Sequence, residues 1–68
     1  MTTTIHFRRR MKERTNINLT LNILAHIANQ LEQMELQKRY ERVTLNVEGI
    51  NVKVIIDTQR QTLVTCHT

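Results

Sequence analysis

A histidine and two arginines recur at four-residue intervals as His6, Arg10 and Arg14. In a helix that spacing stacks the three along one side. Such a row can hold one phosphate through bidentate guanidinium contacts with an imidazole beside it. The imidazole titrates near neutral pH and can serve as general acid or base. Arg8, Arg9 and Lys12 extend the basic run, but a helix turns about 100° per residue, so these cations cannot all point one way. The same residues also read as a solvated basic face, with His6 as a partly exposed histidine at a strand–helix junction. Lys53, on the polar side of a later strand, is a further candidate phosphate contact.

The remaining chemistry-bearing residues are scattered. His26, Cys66 and His67 join His6 as potential ligands, yet no pair has the spacing of zinc ligands, and no metal or cofactor is expected. Cys66 would need an electropositive, partly exposed setting to act as a nucleophile. There is no glycine-rich phosphate loop, and one Tyr and one Phe are too few for base stacking.

The chain has 68 residues, a formal net charge of +4, 40% hydrophobic residues, one glycine, one cysteine and no proline. One domain spanning residues 1–68 is expected, with modest stability, because a chain of this size buries only about 60% of its unfolded surface. The charge points to a polyanionic partner, nucleic acid before an anionic membrane. No apolar run approaches the ~20 residues that span a bilayer, and no secretory signal is visible. A single cysteine fits a reducing compartment, so a cytoplasmic protein is expected.

These side chains must be positioned by a few elements. Residues 1–5 read as a short edge strand or a frayed terminus. Phe7 to Thr15 reads as a helix packed by the narrow Phe7–Met11 stripe. Asn16-Ile17-Asn18 interrupts it, and Asn18 can cap the next helix. Leu24, Ile27, Leu31 and Met34, widened by Leu21 and Ala28, mark an amphipathic helix from about Leu19 to Met34.

From Tyr40 the period becomes two. A Glu48-Gly49 hairpin loop sets Val47 opposite Ile50, Leu45 opposite Val52 and Val43 opposite Val54, all on one face. A turn at residues 58–61 leads to a third strand, Thr62 to His67. Leu63, Val64 and Ile55 cannot all lie on that face, so either both faces are partly covered or the third strand is bulged. The fold expected is α+β: a short basic helix and a longer amphipathic one on a small antiparallel meander, with Val43, Leu45, Val47, Val52, Val54, Leu24, Ile27 and Leu31 as the core.

The string His6-x-x-x-Arg10-Met11-x-x-Arg14-x-x-Ile17-Asn18, the strand Val52-Lys53-Val54-Ile55-Ile56-Asp57 and the closing Leu63-Val64-Thr65 together resemble small bacterial and phage domains similar to the RelE-like toxins and the barnase and colicin-type ribonucleases. The resemblance implies a metal-independent endoribonuclease with helices on one sheet face and RNA on the other. It makes His6 the acid or base, Arg10 and Arg14 the residues that hold or stabilise the phosphate, and Thr65 the residue that orients the reacting groups; Arg8 is a nucleic-acid-binding candidate from the basic run alone. A cognate antitoxin or host protein would then be a partner. Asn16 stands near where that pattern has glycine. Without a bulge near Ile55, the hairpin register turns Thr65 toward the helices. Two other readings use the same residues: a non-catalytic nucleic-acid-binding or host-interaction protein, and a homodimer that buries Ile55 and Val64 across a two-fold axis.

Overall fold

Val47 faces Ile50, Leu45 faces Val52 and Val43 faces Val54 across the Glu48-Gly49 turn, in the register that the alternation of side chains requires. This is the centre of a computed structural model that describes residues 1–67. The elements are β1 (Thr2–Thr3), α1 (Ile5–Thr15), α2 (Leu21–Glu32), β2 (Tyr40–Val47), β3 (Ile50–Asp57) and β4 (Thr62–His67). The fold is α+β, with strand order β1-β4-β3-β2. The meander β2-β3-β4 is antiparallel as expected, but β1 joins β4 in parallel, so the sheet is mixed.

Both helices cover one face of the sheet. Their buried residues, Phe7 and Met11 from α1 and Ile27 and Leu31 from α2, share a single core with Leu45, Val47, Val52, Val54, Ile56, Leu63 and Cys66. Two expected core members, Leu24 and Val43, are only half-buried. Leu21, expected to widen the apolar stripe, is the first residue of α2 and is 86% exposed.

The helix ends also depart from expectation. Helix α1 starts at Ile5, two residues before the sequence estimate, because Thr4 caps it: its hydroxyl accepts the Phe7 N–H at 2.9 Å. The same hydroxyl donates to the Val64 carbonyl at 2.7 Å, which ties the helix start to β4. Asn16 closes α1 in the left-handed conformation, φ 61°, with its N–H on the Lys12 carbonyl. Glycine takes that position at least cost, and asparagine is the usual alternative. Helix α2 is shorter than the expected span from Leu19 to Met34, and Thr20 rather than Asn18 caps it, accepting the Ile23 N–H at 3.2 Å.

The third strand is bulged. Ile55 pairs with Thr65 while the next residue, Ile56, pairs with Leu63, leaving Val64 as the extra residue. The insertion keeps Leu63 and Cys66 in the core and turns Thr65 to the sheet face that no helix covers.

The loop between α2 and β2 is fixed by polar contacts. Asp57 is buried, lies 3.6 Å from Arg39, and accepts the N–H groups of Gln59 and Arg60. Glu41 accepts the N–H groups of Gln37 and Lys38, and these two hydrogen bonds hold its carboxyl below the usual glutamate range. The anchor is therefore complete above the ordinary glutamate pKa and is released as pH falls through the depressed one. An NMR titration should show the Glu41 midpoint below that of an unstructured glutamate, and Glu41→Gln should flatten the acid limb of the stability profile. Leu31→Ala, at a buried site in the core, should destabilise the fold by about 2–5 kcal/mol in urea denaturation. A loss within error of zero would show that α2 does not pack as described.

Candidate nucleic-acid interface

Five of the ten basic side chains lie on α1, namely Arg8, Arg9, Arg10, Lys12 and Arg14, against the single acid Glu13. The rest of the chain balances at five basic and five acidic residues, so α1 carries the entire net charge of +4.

The helix is built to expose that charge. Phe7 and Met11 take the inward side, and Arg8, Arg9, Lys12 and Arg14 are exposed. Among the described residues the one ion pair is Arg39 with Asp57, so no α1 cation is neutralised by a carboxylate. Arg8 donates its Nε–H to the Thr3 hydroxyl at 2.8 Å. Arg10 is half-buried, and its Nε–H has no partner. Leaving such a donor unsatisfied costs on the order of 1–3 kcal/mol.

Charge within α1 is arranged against helix stability at several points. Arg8 lies one turn from Lys12, and Arg10 one turn from Arg14, and like charges at that spacing repel. The first turn has no acidic residue to face the positive end of the helix dipole. Only Lys12 and Arg14, in the last turn, are well placed with respect to the dipole.

The candidate residues divide between α1 and the sheet. His6 lies in the first turn of α1, exposed, on the same helix as Arg10 and Arg14. Thr65 pairs with Ile55, which pairs with Arg42, on the face opposite the helices. Lys53 shares that open face and pairs with His67. The structure thus joins His6 with the arginine row on α1, and Thr65 with Lys53 on the sheet face that no helix covers. Arg42 and His67 join Lys53 and Thr65 on that face, which the sequence pattern does not announce for both. Arg42 was legible, since it shares the parity of Thr44 and Asn46; His67 depended on the bulge.

Among the described residues no pocket forms, and no group of three or more His, Cys, Asp or Glu side chains gathers to hold a metal. No described helix is long and apolar enough to cross a membrane. Comparison with protein-family models, curated proteins and solved structures yields no match.

Cys66 is fully buried against the helices, and its burial pushes the thiol pKa up, partly offset by the positive charge of Arg10 and Arg14. A neutral, buried thiol is a poor nucleophile. A thiol reagent at neutral pH should therefore label native protein far more slowly than unfolded protein. Equal rates would place Cys66 at the surface.

Proposed function

We propose that this chain binds nucleic acid through phosphate contacts along α1 and does not cleave it. The observation that carries the reading is the concentration of the whole net charge on one exposed helix with no carboxylate partner. Phosphates bound there relieve the Arg8–Lys12 and Arg10–Arg14 repulsions and supply the negative charge that the first turn lacks. Arg9 lies opposite the Phe7–Met11 side of the helix, with Arg8 and Lys12 on one flank and Arg10 and Arg14 on the other.

Binding is favoured over catalysis because the charge on α1 suffices for phosphate contacts, whereas acid–base work needs His6 and Thr65 within hydrogen-bond reach of one reacting group, and the two stand on different elements, His6 on α1 and Thr65 on the sheet face that no helix covers. A ribonuclease remains the second reading, supported by the bulge that turns Thr65 to the open face beside Lys53. In that case RNA would be the preferred ligand, as in the domains the sequence resembles.

One set of measurements separates the two. Labelled RNA and DNA should bind with strong salt dependence. Replacing Arg8, Arg10 and Arg14 together with Gln should weaken binding and lower the slope of log affinity against log salt by roughly 2–3, at about 0.7–0.9 per phosphate contact. A polyanion at about 100 times its dissociation constant should stabilise the fold by about 2.7 kcal/mol, a rise in melting temperature of roughly 10 °C or more for so small a domain. With chelator present, RNA should stay intact. Release of 2′,3′-cyclic phosphate ends by wild type but not by His6→Ala would establish the ribonuclease instead, and absence of binding at low salt would overturn both readings.

A further inference from the structure

Strand β2 is a free edge of the sheet. In an antiparallel pair, residues alternate between those that exchange hydrogen bonds with the neighbouring strand and those whose N–H and C=O point away from it. The two-residue turn makes Val47 and Ile50 an exchanging pair, and Leu45 with Val52 and Val43 with Val54 follow. Asn46, Thr44 and Arg42 therefore direct their backbone groups outward.

The contacts of Gln30 agree with this parity. From α2 its side-chain amide donates to the Asn46 carbonyl at 2.8 Å and accepts the Asn46 N–H at 3.1 Å, as a neighbouring strand would. No equivalent cap covers Thr44 or Arg42 among the described residues. The eight-residue edge has no proline, lysine or bulge to block edge pairing, and its charged residues are confined to Glu41 and Arg42 near its start. Val43, an apolar residue in its middle, is only half-buried.

We propose that two copies of this chain pair antiparallel along β2 about a two-fold axis centred on Val43. Arg42 of each copy then lies opposite Thr44 of the other, and four main-chain hydrogen bonds form between their outward N–H and C=O groups. The two Val43 side chains meet on the axis. Other centrings are disfavoured by the residues themselves. An axis on Arg42 opposes two guanidinium groups, and one on Glu41 opposes two carboxylates. An axis on Thr44 requires the backbone groups of Asn46 that Gln30 already occupies. Gln30 thus ends the pairing at both limits. The result is a continuous eight-stranded sheet with all four helices on one side, as pairing about an axis perpendicular to the sheet requires.

Sedimentation equilibrium from micromolar to millimolar protein tests this. The wild type should reach a mass twice the 8.1 kDa of the single chain. Thr44→Pro removes an outward N–H without breaking the hairpin, because proline is tolerated on edge strands, and should remain monomeric while keeping its circular dichroism. Val43→Lys, at a half-exposed site, sets like charges on the axis and should weaken the dimer several-fold, most at low salt; it decides the question should Thr44→Pro not fold. Ile55→Lys, on the open face, should leave the dimer intact. A wild type that stays at single-chain mass throughout, a dimer unaffected by folded edge variants, or one lost with Ile55→Lys alone would overturn the proposal.

Discussion

Glu48 and Gly49 both adopt positive φ, 52° and 81°. That is the signature of a two-residue turn whose twist matches the strands it joins. Closing the hairpin in two residues fixes the parity of every position on β2 and β3. Leu45, Val47, Val52, Val54 and Ile56 are committed to the core, and Arg42, Thr44, Asn51 and Lys53 to the opposite face. The same parity decides which backbone groups point out from the edge. A slip of one residue would exchange all of these assignments at once, exposing the core face and burying two cations. The helices, the open face and the edge all take their meaning from this turn.

The elements that could be read in the sequence are those whose pattern is local. The hairpin announced its register because aliphatic residues alternate on both sides of a turn that contains the chain's one glycine. Helix α2 announced its inward face through Ile27 and Leu31. The parallel pairing of Thr2 and Thr3 with Thr62 and Leu63 joins opposite ends of the chain, and four threonines or leucines carry no pattern that reveals it. The bulge at Val64 was foreshadowed only as a conflict, since Leu63, Val64 and Ile55 could not share one face. The caps were missed in a different way. Asn18 is a good capping residue by type, but Thr20 is the one whose hydroxyl accepts a free N–H of the first turn of α2, that of Ile23.

The candidate site was legible as composition and less so as geometry. Arginines spaced along α1 could be placed on one helix from sequence alone, and His6 falls on that helix as the four-residue spacing required. The distance from His6 to Thr65 was not available to that reasoning. It depends on which face Thr65 takes, and this is set by the bulge, a feature of strand pairing across a long stretch of chain. The scaffold and the charged helix are nearly separable: the core uses only Phe7 and Met11 from α1, and its cations make no ion pair with the rest.

Because α1 packs against β4, at the other side of the sheet from the β2 edge, the excess charge sits at one pole of a body whose remainder is neutral. Such a molecule has a permanent electric dipole that adds to its monopole. In the field of a polyanion it feels a torque as well as a pull, and it turns before it arrives. Encounters then begin pole-first, with α1 leading and β2 trailing in solvent. Orientation during approach is thus set by where ten basic side chains are distributed along the chain, before any contact is made.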